Sequence, residues 1–142
     1  MSREVLLIED SPGDVRLTQE AFRASNADLQ LHVAVDGNEA LAFLKQQGSF
    51  AGAPRPDLIL LDLNLPNING SEVLARIKQD DNLKTIPTMV LATSQSEADV
   101  MRSLQLQANC YLAKPAQLDE LERMVRSIDD FWLTKARFPP PC

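Results

Sequence analysis

Residues 58–61 read Leu-Ile-Leu-Leu and stop at Asp62. A continuous apolar run of this length indicates a strand buried on both faces, at the centre of a parallel sheet. Four further segments have a related form. Glu4 to Ile8 ends at Glu9-Asp10. Leu29, Leu31, Val33 and Val35 alternate and close on Asp36-Gly37. Pro87 to Ala92 ends at Thr93-Ser94, and Cys110 to Ala113 ends at Lys114-Pro115. Between them the spacing is helical over Asp14 to Ala24, Asn38 to Gln47 (Asn38 as cap), Ser71 to Gln79 and Glu97 to Gln107. A last helix starts near Gln117. Gly48 to Pro56 is a loop and Asn67 to Gly70 a turn. Strands alternating with crossover helices predict an α/β fold with a parallel sheet covered on both faces.

The 142 residues suit one domain, 1–142. Fourteen basic against 20 acidic residues leave a net charge of −6, a poor basis for binding nucleic acid or an anionic membrane. No apolar run has the ~18 residues of a membrane span, and the start, Met-Ser-Arg-Glu, shows no signal-peptide pattern. Cys110 and Cys142 are too few for a disulfide framework and form no metal-ligand pair; Cys110 is expected as a small buried apolar side chain. The cytoplasm is the expected compartment.

In an open parallel sheet, ligands bind beyond the carboxyl ends of the strands. The residues ending the apolar runs therefore gather at one rim: Glu9, Asp10, Asp62, Thr93 and Lys114. One carboxylate after a strand is most often a helix cap or a solvated turn. Three together repel, at about 4 kcal/mol per pair for ~4 Å and an effective dielectric near 20. Either some are protonated or a cation holds them. Oxygen ligands with room for water and phosphate suit Mg²⁺. Glu9 and Asp10 would place the ion, leaving Asp62 free to attack phosphorus and form an acyl phosphate. Lys114 and Thr93 would take phosphoryl oxygens. The single histidine, His32, lies away from this rim, so a phosphohistidine donor must belong to a partner.

These residues resemble the receiver domains of two-component response regulators. The matches are Glu9-Asp10, LILLDLNLP with Asp62, Asn69-Gly70, Ala92-Thr93-Ser94 and Tyr111-Leu112-Ala113-Lys114-Pro115, over roughly residues 3–127. The resemblance implies a flavodoxin-like, three-layer α/β/α fold with five parallel strands in the order 2-1-3-4-5. It makes Asp62 the phosphoacceptor, with Glu9, Asp10, Asp62 and the Asn64 backbone carbonyl as Mg²⁺ ligands. Thr93 and Lys114 contact the phosphoryl group, Thr93 and Tyr111 form the switch, and Asn64 and Gln95 tune its lifetime. A cis Lys114–Pro115 bond is also implied. Such a domain catalyses only its own phosphotransfer and slow autodephosphorylation, and is not a turnover enzyme.

The loop 48–56 and the extension of about 128–142 are similar to the small single-domain response regulators of cyanobacterial phytochromes, whose partners are light-sensing histidine kinases. On the last helix, Leu118, Leu121, Val125, Ile128 and Trp132 form one apolar stripe, and Met124 and Phe131 a second. A second stripe needs another cover, so a homodimer through Met124, Phe131 and Trp132 is expected. Pro139-Pro140-Pro141 cannot continue a helix and is expected as an extended tail before Cys142, and the residues beyond the receiver are expected to be too few for an output domain.

Three rival readings meet obstacles in these residues. An Mg²⁺-dependent phosphatase with an aspartate nucleophile needs a second aspartate where Asn64 stands. A flavodoxin-like nucleotide binder needs a phosphate cradle in its first loop, where Glu9-Asp10-Ser11-Pro12-Gly13-Asp14 presents acids. A non-switching docking module would not need the intact acidic set.

Overall fold

The computed structural model describes residues 3–25, 28–103, 108 and 110–134; the side chains at 95, 102–103 and 131–134 lie outside that description. Five parallel strands, β1 (Arg3–Ile8), β2 (Leu29–Ala34), β3 (Leu58–Asp62), β4 (Thr88–Ala92) and β5 (Cys110–Ala113), form one sheet in the order β2-β1-β3-β4-β5. Helices α1 (Pro12–Ala24), α2 (Gly37–Leu44), α3 (Gly70–Gln79), α4 (Gln95–Ser103) and α5 (Leu118–Thr134) make the crossovers and cover both faces. This is the expected receiver architecture.

The twofold periodicity of the strands sorts the core into two layers. Leu6, Ile8, Ile59, Leu61, Val90 and Tyr111 point to the side packed by α2, α3 and α4. Val5, Leu7, Leu58, Leu60, Met89, Leu91 and Cys110 point to the side packed by α1 and α5. All five residues of β3 are buried, which explains its unbroken apolar run. Each such aliphatic side chain contributes about 1.5–3 kcal/mol by leaving water, and cutting Leu60 to alanine costs about 2–5 kcal/mol.

Helix starts follow their caps. Ser11 caps α1, with Pro12 in its first turn. Asp36, rather than Asn38, caps α2: its carboxylate accepts the Glu39 N–H at 2.7 Å. An ionised acceptor one residue before the first helical position outcompetes an amide set inside the helix. Asn69 caps α3. The predicted start of α4 at Glu97 moves back to Gln95 because Ser94 Oγ accepts the Glu97 N–H. Residues 104–107 and 135–142, predicted parts of the last two helices and the tail, lie outside the described residues.

The loop 48–56 contains a short 3-10 turn, Gly48–Phe50, and is anchored. Phe50 packs tilted against Phe43 with ring centroids 5.6 Å apart, Gln46 donates to the Ala53 carbonyl, and Arg55 donates to Asn82 and Thr85. Three other expectations need correction. The Lys114–Pro115 bond is trans, the intrinsically favoured isomer. Cys110 is buried as expected, but it is disulfide-bonded. Met124 does not belong to an outer stripe: it is buried with Leu121, Val125 and Ile128. Helix α5 packs against α1 as well as the sheet, so its buried arc is wide enough to take in Met124.

Candidate functional site at the carboxyl rim of the sheet

The strand ladders continue one residue past the strands and carry the polar residues to the rim. The Glu9 N–H donates to Ala34 O at 2.9 Å, the Leu63 N–H to Leu91 O at 3.0 Å, and the Lys114 N–H to Ala92 O at 2.6 Å. Glu9 and Lys114 are thereby held on either side of Asp62, the last residue of the central strand. Behind Asp62 the chain turns at Asn67 (φ 65°) into α3. Gly70 closes this turn, where an added Cβ would meet the Asp62 and Leu63 backbone at 2.6–2.7 Å. Only glycine fits so near the strand end.

Glu9 and Asp62 are buried, at 1% and 3% exposure, whereas Asp10 is exposed. Donor oxygens of Glu9, Asp10 and Asp62 lie within 4.8 Å of one another. The Lys114 ammonium is the shared counter-charge. It pairs with Glu9 Oε1, with Asp14 Oδ2 at 2.8 Å and with Asp62 Oδ2 at 3.2 Å. The other Asp62 oxygen accepts the Asn64 N–H at 3.1 Å. One ammonium thus serves three carboxylates, and Asp10 adds a fourth nearby. Burial, then hydrogen bonding with Asp62, pushes Glu9 up to about 7, with Lys114 acting against it. Burial works to lower the Lys114 amine, but hydrogen bonds to Asp14 and Glu9 and the charges of Asp62 and Glu9 overcome it and raise it above its ordinary value.

The rim therefore unites Glu9, Asp10, Asp62 and Lys114, as expected. Thr93 also stands there, exposed, but its hydroxyl donates to Glu97 Oε1 at 3.1 Å. Tyr111 is buried beside the layer that holds Ala98 and Met101, and its hydroxyl accepts the Ala108 N–H at 3.1 Å. Asn64 is exposed and engages Asp62 through its N–H. Gln95 opens α4, with its side chain outside the described residues, as are those of Phe131 and Trp132 in α5. His32 lies apart, 3.2 Å from Glu4. Asp14 is the participant that sequence reading passed over. It sits in the first turn of α1, and its partner Lys114 is 100 residues away, so no local signal marks it.

An oxyanion-rich pocket with one amine, at the end of a central parallel strand, defines a receiver. The response regulator receiver domain model matches residues 5–126, and the chain belongs to that family. It is 51% identical over 135 residues to the response regulator Rcp1 of Synechocystis sp. (strain ATCC 27184 / PCC 6803 / Kazusa), covering 95% of this chain and 92% of that protein. The structure is similar to the Mn²⁺-bound form of Rcp1, with a TM-score of 0.80, 50% identity, and coverage of 96% of this chain and 99% of the other. It is also similar to the phosphorylated cyanobacterial phytochrome response regulator RcpA, with a TM-score of 0.84, 47% identity, and coverage of 98% and 99%.

Proposed function

We propose that Asp62 accepts a phosphoryl group from a phosphohistidine of a partner kinase, and that this acceptance changes a protein-interaction surface. The observation that carries the reading is the placement of Asp62: buried, with one oxygen 3.2 Å from the Lys114 ammonium and the other held by the Asn64 N–H. In the transfer an Asp62 oxygen attacks phosphorus, the P–N bond to histidine breaks, and the P–O bond to aspartate forms. The imidazole leaves with the electron pair and takes up a proton. Such a reaction needs alignment and charge neutralisation more than covalent help. Lys114 neutralises one phosphoryl oxygen, and the Thr93 hydroxyl is the ligand for another. The lifetime of the acyl phosphate is assigned to Asn64 and Gln95.

The donor set fits a hard divalent cation. Glu9, Asp10 and Asp62 offer only oxygen, from atoms within 4.8 Å of one another. Mg²⁺, with the Asn64 carbonyl as a further ligand, would supply charge neutralisation for the phosphoryl oxygens when bound.

The partner reading is a histidine kinase of the light-sensing phytochrome type, supported by the likeness to Rcp1 and RcpA. Residues 1–142 act as a single receiver whose output is a protein contact rather than turnover. The cytoplasm is the proposed compartment; among the described residues no helix is long and apolar enough to cross a membrane. A homodimer through the α5 face now rests on Phe131 and Trp132 without Met124. The double variant Phe131→Ala/Trp132→Ala should sediment as a weaker dimer, and unchanged sedimentation removes that interface. The function itself is tested by incubating the chain with phytochrome-type kinases and labelled ATP. Label should pass from kinase to wild type but not to Asp62→Asn.

A further inference from the structure

The start of α4 carries a contact that the transfer chemistry does not use. Ser94 begins the helix: its hydroxyl accepts the Glu97 N–H at 3.1 Å and its carbonyl the Ala98 N–H at 3.0 Å. In an ordinary capping box, the carboxylate at this position reaches back to the N–H of the cap residue itself. Here Glu97 reaches one residue further. A single oxygen, Oε1, accepts both the Thr93 N–H at 2.9 Å and the Thr93 hydroxyl at 3.1 Å.

A threonine hydroxyl has one proton to donate. It goes to Glu97 or to a phosphoryl oxygen on Asp62, and not to both. We propose that Glu97 is a positioning residue, a latch that holds Thr93 outward and that a phosphoryl group on Asp62 must displace. The proposal rests on the reading of Thr93 as a phosphoryl ligand. The new dianion competes for the Thr93 proton and repels the Glu97 carboxylate, so both effects open the latch in the same direction. Opening frees the Glu97 side chain on the first turn of α4. The same helix presents Asp99 and Val100 to solvent, Val100 at 58% exposure. Chemistry at Asp62 is thereby linked to a change on an outer helix through one exchanged hydrogen bond, the kind of two-state element a switch needs.

The test titrates beryllofluoride with Mg²⁺, a stand-in for the phosphoryl group, into the full chain by calorimetry. Glu97→Ala should bind about three- to tenfold tighter, the range for removing one competing hydrogen bond. Glu97→Gln keeps an uncharged acceptor and should fall between. Ser94→Ala removes the cap bond while sparing Thr93, and should match wild type. In a Thr93→Val background the gain from Glu97→Ala should shrink to what the lost charge and the Thr93 N–H contact supply, and an undiminished gain overturns the exchange of the hydroxyl proton. Without beryllofluoride, the Thr93 amide should exchange with solvent faster in Glu97→Ala but not in Ser94→Ala. Equal affinity of wild type and Glu97→Ala overturns the latch, as does an equal gain in Ser94→Ala. Those results leave the phosphoacceptor reading standing. A wild type that does not bind beryllofluoride overturns that reading, and the latch with it.

Discussion

Asp57 and Asp62 bracket the same strand and do opposite work. Asp57, just before β3, pairs with the backbone of β1. Its carboxylate accepts the Glu4 N–H at 2.7 Å and its own N–H donates to Glu4 O at 2.7 Å, so it joins β1 to β3 much as a sheet residue would. Asp62, at the other end, is more deeply buried and shares one amine with Glu9 and Asp14. The amino-terminal rim is built to the same rule as Asp57. Glu4 meets His32, Arg55 meets Asn82 and Thr85, and Lys78 donates to the carbonyls of Lys84 and Ile86. At one rim polar groups are matched locally and serve the fold. At the other, like charges crowd around one ammonium, the arrangement on which the proposed metal and phosphoryl sites rest.

Exchanging the two acids breaks this contrast most sharply. Asp62→Asn should abolish phosphoryl acceptance while leaving the thermal midpoint unchanged or higher, because it removes a repelling charge at nearly constant size. Asp57→Ala should do the reverse. It loses a backbone-to-carboxylate hydrogen bond, costs about 1–3 kcal/mol in denaturant unfolding, and still accepts phosphate. Loss of acceptance in Asp57→Ala at a temperature where it is folded would erase the distinction.

The next effect is on pH. Burial, then hydrogen bonding with Asp62, pushes Glu9 in the folded protein up to about 7 from its ordinary 4.5. This carboxyl therefore adds stability that is fully present below 4.5 and lost as pH rises through about 7. Bound Mg²⁺ demands the ionised form, so Mg²⁺ affinity should rise as pH increases through about 7. Glu9→Gln should flatten that dependence and weaken binding. A Mg²⁺ affinity in wild type that is flat between pH 5 and 8 contradicts the assignment of Glu9. The smallest effect is at Asp14, whose side chain is half exposed and holds Lys114 from the solvent side. Asp14→Asn should leave the fold intact and speed acceptance from a small phosphodonor by no more than a few-fold. It relaxes one competing claim on the ammonium, and an exposed pair contributes only about 0.2–1 kcal/mol.

Much of this was legible in the sequence because strand runs and chain breaks report burial directly. The buried run at 58–61 sits at the sheet centre, and four of the five rim residues meet as topology requires. Where reading by segment failed, the cause was a partner distant in sequence or a rule applied too narrowly. Asp14 and Lys114 are 100 residues apart, so nothing local pairs them. Met124 and Phe131 share a seven-residue spacing, but a helix packed on both the sheet and α1 buries more than one stripe. Ser94-Gln95-Ser96-Glu97 spells a capping box, a signal present in the sequence that turns Glu97 back over the helix start, although it is Thr93 that donates to it there.

The central claim is that one carboxylate at the end of β3 carries phosphorus. The most direct measurement is intact-protein mass after incubation with acetyl phosphate and Mg²⁺. The account predicts the added mass of one phosphoryl group on wild type and none on Asp62→Asn. An unmodified wild type, or an equal adduct on the variant, would contradict it.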